Sequence, residues 1–346
     1  MVIRVLVVDD SAFMRKVISD LLASDPEIEV VGTARDGQDA LERAAELKPD
    51  VITLDVEMPR MDGLTFLQRM MATNPRPVVM VSSLTKEGAD TTLRALSLGA
   101  VDFVAKPSGS ISLDMNRIRE DLVGKIRMAA RARPRQRAWS EQFKIEVPRV
   151  APVPGQPPRH LVCIGCSTGG PGALHEIIPQ LPGNLEAGVV IVQHMPPGFT
   201  RSLAERLNQV SSLTVKEAAE GDRLASGLVL VAPGGYHLAI EGDGRIRLTT
   251  DPPRHGVRPA VDVTLQSAAE AFGQRVLAVI LTGMGFDGAR GAAAVRQAGG
   301  RVIAEHESSC VIYGMPRAVI EMGVADGILP LGLVGKAIAE LLGSMP

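Results

Sequence analysis

Residues 4–23 read RVLVVDDSAFMRKVISDLLA, and they contain the two patterns that decide the fold. Residues 4–8 form a short run rich in β-branched side chains, which is typical of a strand buried on both faces. Asp9 and Asp10 follow it, and residues 12–23 then repeat apolar side chains at the spacing of an amphipathic helix. A strand followed by a helix, repeated along a chain, predicts a parallel sheet covered by helices on both faces.

This alternation continues through residues 1–127. Four more strands are predicted, at residues 29–33, 51–54, 78–81 and 102–105. The helical patterns between them occupy residues 37–47, 64–71 and 89–98. Five strands of this kind predict a small doubly wound α/β domain of the flavodoxin-like type.

Residues 128–158 have a different composition, rich in arginine and proline. Prolines at this density stop helices and strands and favour an extended spacer, so we predict a linker here. The arginines could form a binding patch for a partner, but a solvated helix end that runs into the linker is the favoured interpretation.

The alternation resumes over residues 159–346. Strands are predicted at residues 161–165, 189–193, 276–282 and 301–304, and helices at residues 172–180, 202–209, 288–298 and 316–322. Residues 215–250 alternate in character around glycine-rich turns, which suggests short antiparallel hairpins. We therefore predict a second doubly wound, Rossmann-like α/β domain with a β-hairpin insertion.

The composition limits the class of protein. The chain has 346 residues, a net charge of −2 and 22% charged residues, which argues against a nucleic-acid binder. Its apolar runs are too short for a membrane span, and we see no signal peptide. Three cysteines make no disulfide framework, which fits a reducing cytoplasm. Cys163 and Cys166 have C-x-x-C spacing, but without a second pair a zinc or redox site is disfavoured.

Acids, a hydroxyl and a lysine follow the strands of the first predicted domain. Asp9 and Asp10 follow one strand, and Asp55, Ser82 and Lys106 follow others. Because the carboxyl ends of parallel strands meet at one edge, these side chains are expected to converge. Three carboxylates need a hard cation such as Mg²⁺ among them. Asp55 is then the natural acceptor of a phosphoryl group, which Lys106 and Ser82 can bind. A role in helix capping explains only Asp10.

A serine, a histidine and an aspartate follow three strands of the second predicted domain. Ser167 lies in GCSTGG, residues 165–170, where glycines permit a sharp turn that exposes the hydroxyl. His194 and Asp287 follow two other strands. Together they supply a nucleophile, its general base and an acid that orients the base. The glycine-rich turn around Met284 offers backbone N–H groups to an oxyanion.

Alternatives stay open on the residues alone. The turn around Ser167 also fits a phosphate-binding helix N-terminus in a domain without catalysis. His306 lies at a strand end and is the most serious competitor for the base, ahead of His175, His237 and His255. The chain order excludes the α/β-hydrolase template, in which the histidine follows the acid. A DNA-binding output ranks low, because no helix-turn-helix pattern or basic surface is evident.

The first domain resembles the response-regulator receiver domain. The matching motifs are VVDDS at residues 7–11, DVEMPRMDG at 55–63 and VAKP at 104–107. The resemblance implies phosphotransfer from a histidine kinase to Asp55, with Mg²⁺ held by Asp10, Asp55 and the Glu57 carbonyl. It also implies that Asp9 assists in the same pocket and that Ser82 shifts on phosphorylation.

The second domain resembles the catalytic domain of the chemotaxis protein-glutamate methylesterase family. The matching motifs are IGCSTGG at residues 164–170, HMPPGFT at 194–200, APGG at 232–235, RPAVD at 258–262 and LTGMGFDG at 281–288. The resemblance implies Ser167 as nucleophile, His194 as base and Asp287 as the orienting acid. It further implies that the Met284 N–H helps to bind the oxyanion and that Thr168 supports the site.

Together the two resemblances imply a phosphorylation-activated enzyme of sensory adaptation. It would hydrolyse glutamate γ-methyl esters on the cytoplasmic helices of chemoreceptors and deamidate specific glutamines. The implied partners are methylated chemoreceptors and a chemotaxis histidine kinase, and the unphosphorylated receiver is expected to cover the hydrolase. Mg²⁺ is implied for the receiver and no cofactor for the esterase. We expect a cytoplasmic monomer that binds no nucleic acid and inserts into no membrane.

Two residues depart from the methylesterase pattern. Cys166 stands where alanine is common, and Phe286 where asparagine is common. Both flank predicted catalytic residues, so they bear on rate or substrate choice, but neither replaces a chemical group.

Overall fold

The computed structural model describes residues 2–83, 85–106, 112–132 and 158–345. The chain divides into two compact units, Met1–Ser140 and Glu141–Pro346. Most of the predicted linker at residues 128–158 lies outside the described residues, as does Pro107 of the VAKP motif. No helix in the described part of the chain is both long and apolar enough to cross a bilayer.

The first unit is a five-stranded parallel sheet flanked by helices. Its strands are β1 (Ile3–Val8), β2 (Ile28–Ala34), β3 (Val51–Asp55), β4 (Val78–Ser82) and β5 (Asp102–Ala105). Its helices are α1 (Ala12–Ala23), α2 (Gly37–Leu47), α3 (Gly63–Thr73), α4 (Lys86–Ser97) and α5 (Ser112–Ala129). The strand order β2-β1-β3-β4-β5 is the flavodoxin-like order, which confirms the predicted fold class.

Short polar side chains begin the helices of this unit. Asp36 accepts hydrogen bonds from the first N–H groups of α2, and Asp62 and Thr85 do the same for α3 and α4. Ser11 caps α1 by accepting from the Met14 N–H. The capping interpretation of Asp10 is therefore wrong, and Asp10 is left for another role.

The second unit is built on a seven-stranded parallel sheet. Its strands are β6 (His160–Cys166), β7 (Ala187–Gln193), β8 (Thr214–Glu217), β9 (Leu228–Val231), β10 (His237–Ile240), β11 (Ile246–Thr249), β12 (Val276–Ile280), β13 (Arg301–Glu305) and β14 (Gly327–Leu329). Its helices are α6 (Gly170–Ile177), α7 (Phe199–Val210), α8 (Val261–Phe272), α9 (Ala289–Gln297), α10 (Met315–Glu321) and α11 (Leu331–Ser344). The order β14-β13-β12-β6-β7-β9-β8 confirms the second doubly wound sheet, and β10 and β11 form the hairpin insertion.

Only part of residues 215–250 is antiparallel. β8 and β9 instead extend the main sheet in parallel, with Val215 opposite Val229. All four residues of β9 are buried. Its sequence LVLV is a continuous apolar run, typical of a strand covered on both faces, whereas β11 of the hairpin reads IRLT and alternates. The prediction of hairpins throughout this segment was therefore wrong.

The start of α3 is so close to β3 that only glycine fits there. A Cβ atom at Gly63 would lie 2.1 Å from the carbonyl oxygen of Asp55. We expect Gly63→Ala to destabilise the first unit by about 3 kcal/mol, because the strand end must move. The check is calorimetric unfolding of the full chain. Gly124→Ala in α5 is the matched control, since a Cβ there meets nothing within 4 Å. Equal effects of the two substitutions would contradict this account.

Candidate functional site

Asp9, Asp55 and Lys106 contact one another at the carboxyl edge of the first sheet. Lys106 Nζ lies 2.7 Å from Asp55 Oδ2 and 3.1 Å from Asp9 Oδ2. Both carboxylates are buried, and the lysine is partly exposed. The N–H groups of Ser11 and Val56 donate to the remaining oxygens of Asp9 and Asp55, at 2.9 and 2.7 Å. The carboxylates therefore have fixed orientations.

The charge of this cluster is not balanced by protein groups alone. Burial raises the pKa of Asp55, and the nearby Asp9 charge adds to this, against the hydrogen bond from Lys106. Burial works against the charged form of Lys106, but its two carboxylate partners raise its pKa. One ammonium group thus faces three carboxylates once Asp10 is included.

The remaining oxygens fit a divalent cation. Ligand oxygens of Asp9, Asp10 and Asp55 lie within 4.8 Å of one another. Asp9 Oδ2 has no hydrogen-bond partner among the described residues, although Lys106 is within ion-pair distance. An unbonded buried carboxylate oxygen beside two further carboxylates is the ligand set that Mg²⁺ accepts. The Glu57 side chain is exposed and outside the cluster, so the role of its backbone carbonyl stays a prediction.

The structure does not bring the Ser82 hydroxyl to these acids. Ser82 is buried, and its Oγ lies 3.2 Å from the carbonyl oxygen of Gly88 in the first turn of α4. To bind a phosphoryl group on Asp55, the hydroxyl would have to leave this carbonyl.

His194 and Asp287 form a hydrogen-bonded pair at the edge of the second sheet. His194 Nε2 lies 2.8 Å from Asp287 Oδ2, and the side chains are 10% and 3% exposed. The carboxylate also accepts from the N–H groups of Val261 (2.6 Å) and Asp262 (2.9 Å), the first residues of α8. Burial opposes its ionisation, but the hydrogen bonds from His194 and these backbone groups lower the pKa of Asp287. Asp287 is therefore an anion that fixes the imidazole ring.

Ser167 lies between the strand ends that carry the histidine and the aspartate. Its N–H donates to the carbonyl of Thr282 at 3.0 Å, just after β12. A Cβ at Gly283 would lie 2.8 Å from Ser167 Cβ, so only glycine permits this approach. On the other side, the His194 N–H donates to the Cys166 carbonyl at 3.2 Å. The serine turn is thereby attached to both neighbouring strand ends.

The third bond of the predicted triad is absent. Within the described part of the chain, Ser167 Oγ makes no hydrogen bond to His194. Because Nε2 is bonded to Asp287, Nδ1 is the ring nitrogen left to meet the serine. The usual serine-protease arrangement has the two nitrogens the other way round. Nucleophile–base bonds are commonly long until substrate binds.

Met284 and Thr168 play different parts in the structure. The Met284 side chain is exposed, and its N–H has no hydrogen-bond partner among the residues described. The N–H groups of Gly314 and Met315 hold the preceding carbonyl of Gly283, at 3.1 and 2.9 Å. A fixed and unbonded N–H of this kind suits an oxyanion. Thr168 is buried, and its carbonyl accepts from the Thr282 hydroxyl at 3.0 Å.

Asp262 ends the RPAVD motif, but the sequence analysis assigned it no role. Its Oδ1 accepts from the N–H groups of Gly288 (2.9 Å) and Gly291 (2.7 Å) at the start of α9. Its Oδ2 lies 3.0 Å from His255 Nε2. Asp287 precedes α9 and caps α8, whereas Asp262 lies in the first turn of α8 and caps α9. Neither cap is local in sequence, so no pattern signalled them.

The cluster of His255, Asp262 and Asp287 is compact enough to hold a metal ion. However, the two carboxylates already accept N–H groups from the N-termini of α8 and α9. The positive partial charge of two helix N-termini disfavours a cation. Hydrogen bonding therefore accounts for the cluster better than a metal does.

The other candidates have different surroundings. His306 is exposed, and its Nδ1 lies 2.9 Å from Ser308 Oγ. His237 is buried and lies 3.2 Å from the carbonyl of Pro252. Cys163 and Cys166 are buried, unbridged thiols whose pKa is raised by burial.

The fold and the two sites define a two-unit α/β protein. The first unit has the acidic pocket of a receiver domain. The second has a serine, a histidine and an aspartate at one sheet edge, as a hydrolase does. The CheB methylesterase family model matches residues 162–338, and the response regulator receiver domain model matches residues 5–116. The chain belongs to the CheB methylesterase family, and a receiver domain precedes the methylesterase domain in the sequence, as the motifs indicated.

Full-length relatives and a solved structure agree with this family. A protein-glutamate methylesterase/protein-glutamine glutaminase from Symbiobacterium thermophilum is 58% identical, over 99% of this chain and 97% of the relative. A relative of the same description from Geobacillus kaustophilus is 50% identical, over 99% of both chains. The Thermotoga maritima CheB methylesterase catalytic domain is 50% identical with a TM-score of 0.52, covering 53% of this chain and 98% of that one.

The reciprocal caps make Asp262 important for stability. We expect Asp262→Ala to destabilise the second unit by about 3 kcal/mol, because it leaves two helix N–H groups and His255 without their acceptor. Asp262→Asn retains an acceptor oxygen and should cost much less. Calorimetry of the full chain measures both, with Glu270→Ala, at an exposed position of α8, as a control that changes little. An Asp262→Ala chain as stable as the control would show that the caps are unimportant.

Proposed function

We propose that the chain hydrolyses glutamate γ-methyl esters on the cytoplasmic helices of chemoreceptors and deamidates specific glutamines at the same site. The observation that carries the proposal is the His194–Asp287 pair, 2.8 Å apart, at the sheet edge that holds Ser167. The activities named for the full-length relatives support it. The enzyme would work in the cytoplasm as a monomer and serve sensory adaptation.

Each residue has a defined part in the reaction. Ser167 Oγ attacks the ester carbonyl, and its proton passes to His194 Nδ1. Asp287 stays ionised and stabilises the imidazolium, and the Met284 N–H binds the oxyanion. His194 then gives the proton to the departing methoxide, so that methanol and an acyl-enzyme form. Water attacks the acyl group through the same base, which restores Ser167 and releases the glutamate carboxylate. A glutamine substrate follows the same steps and loses ammonia.

The first unit would regulate this chemistry. A chemotaxis histidine kinase would transfer a phosphoryl group to Asp55, and phosphorylation would raise esterase turnover. Asp10, Asp55 and the Glu57 carbonyl would hold Mg²⁺, which would supply charge neutralisation to that transfer. The acceptor carboxylate is held in place by the Val56 N–H at 2.7 Å.

Three further residues complete the proposed phosphorylation site. Lys106 already touches both buried acids and would pair with the phosphoryl oxygens. Asp9 would remain beside the cation. The Ser82 hydroxyl would give up its hydrogen bond to the Gly88 carbonyl and donate to a phosphoryl oxygen instead. Phosphorylation of Asp55 would thereby be linked to the start of α4.

The nucleophile is tested by methanol release from methylated receptor membranes. Ser167→Ala should fold normally and lose at least ~10³-fold in rate, because it removes the hydroxyl that attacks the ester. Ser308→Ala, which changes an exposed serine of the same unit, should keep the full rate. Full methanol release by Ser167→Ala would end the proposal.

Regulation is tested separately with acetyl phosphate and Mg²⁺. We expect the rate of the unmodified chain to rise when both are added. Asp55→Asn should keep the basal rate and lose the increase, because the acceptor carboxylate is gone. An equal increase in Asp55→Asn would show that Asp55 is not the regulatory site.

A further inference from the structure

The active-site edge contains a buried carboxylate that the proposed mechanism does not use. Glu305, the last residue of β13, is 0% exposed. Its Oε2 accepts the Thr282 N–H at 2.8 Å, and its Oε1 accepts the Ser309 hydroxyl at 2.8 Å. Ser309 in turn accepts the N–H of Leu331, the first residue of α11, at 3.0 Å. The carboxylate is therefore fixed from two sides.

Glu305 replaces a missing part of the sheet. The regular pairing of β12 with β13 ends at Ile280 and Ala304. Beyond that point the His306 N–H turns toward β14 and donates to Leu329 at 2.8 Å. The Thr282 N–H then has no strand carbonyl to meet, and a buried unpaired N–H would be costly. The side chain of Glu305 supplies the acceptor and continues the ladder by one residue.

Thr282 is the residue through which this contact reaches the chemistry. Its carbonyl accepts the Ser167 N–H at 3.0 Å, and its hydroxyl donates to the Thr168 carbonyl at 3.0 Å. The next residue, Gly283, packs against Ser167 and precedes the unbonded Met284 N–H. A displacement of Thr282 would therefore misplace the nucleophile and the oxyanion donor together.

We propose that Glu305 is a positioning residue for the reaction, acting through Thr282 to align Ser167 with the Met284 N–H. The inference rests on the proposed function, since it assigns a residue to the same site. It concerns the position of the acceptor oxygen and not its charge. A negative charge near a forming oxyanion does not stabilise it. We therefore attribute the role of Glu305 to the hydrogen bond that its Oε2 accepts from the Thr282 N–H.

Two substitutions separate position from charge. Glu305→Asp keeps the charge but withdraws the oxygens by one methylene from the Thr282 N–H. Glu305→Gln keeps an oxygen that can accept the Thr282 N–H. The new NH₂ group can donate to Ser309 Oγ, and the Ser309 hydroxyl can then donate to the His306 carbonyl, 3.1 Å away. Glu340→Asp, at an exposed position of α11, is the matched control.

The experiment uses the full chain and a fluorophosphonate probe that counts reactive serines. For each variant we would measure the rate of serine phosphonylation, and kcat and KM for methanol release, per titrated site. Glu305→Asp should lower kcat and the phosphonylation rate by about 10- to 100-fold, with little change in KM, as expected for a misplaced reacting group. Glu305→Gln and Glu340→Asp should stay close to the unmodified chain. Counting titrated sites removes losses that come only from misfolding.

Three results would overturn the inference. A Glu305→Asp chain that reacts as fast per site as the unmodified chain would show that Thr282 does not need the Glu305 oxygen to hold its position. Glu305→Gln as slow as Glu305→Asp would show that charge matters instead of the acceptor position. An unmodified chain that neither reacts with the probe nor releases methanol would overturn the proposed function and this inference with it. If Glu305→Asp yields no titratable serine, the test passes to Ser309→Ala, which removes the hydroxyl bonded to Glu305 Oε1. That variant is expected to lower kcat per site, and an unchanged kcat would overturn the inference.

Discussion

Both sites depend on one constraint, which is that all strands of each main sheet run in the same direction. Parallel strands bring their carboxyl ends to one edge, so the residues that follow separate strands become neighbours. In the first unit this places Asp9 and Asp55 around Lys106. In the second it places Ser167 beside the ends of β7 and β12, which carry His194 and Asp287. The chemistry of each unit therefore follows from its topology.

The two edges differ in how their charges are balanced. In the first unit one partly exposed ammonium faces three carboxylates, and Asp9 Oδ2 has no hydrogen bond among the described residues. This is the edge at which we propose that a cation and a phosphoryl group bind. In the second unit each buried acid is fully engaged. Asp287 and Asp262 cap each other's helices, and Glu305 holds Thr282. The acidic cluster of the first unit is therefore suited to a change in its net charge. The hydrogen-bonded acids of the second unit are suited to holding the reacting groups in fixed positions.

The sequence predicted those features that depend on local patterns. The first sheet, four strands of the second and the polar residues at the strand ends could be predicted from short apolar runs and the side chains after them, and the family from its motifs. Features that depend on distant partners were missed. α8 begins with Val-Asp-Val-Thr, which alternates like a strand, and its cap is Asp287, 26 residues from Val261. Asp262 lies in the RPAVD motif, but neither it nor Glu305 could be given a role, because the groups that they contact lie far along the chain. Ser82 followed its strand as expected, but its hydroxyl turns to Gly88 instead of the acids.

The central claim is that three strand ends of the second sheet form one reaction centre. The most direct measurement is a crystal structure of the full chain after reaction with an organophosphonate. The account predicts phosphorus bonded to Ser167 Oγ, with a phosphonyl oxygen about 3 Å from the Met284 nitrogen. His194 Nδ1 should face the adduct while Nε2 stays on Asp287. An adduct on another residue, or a phosphonate that meets His255 while His194 points away, would contradict the claim.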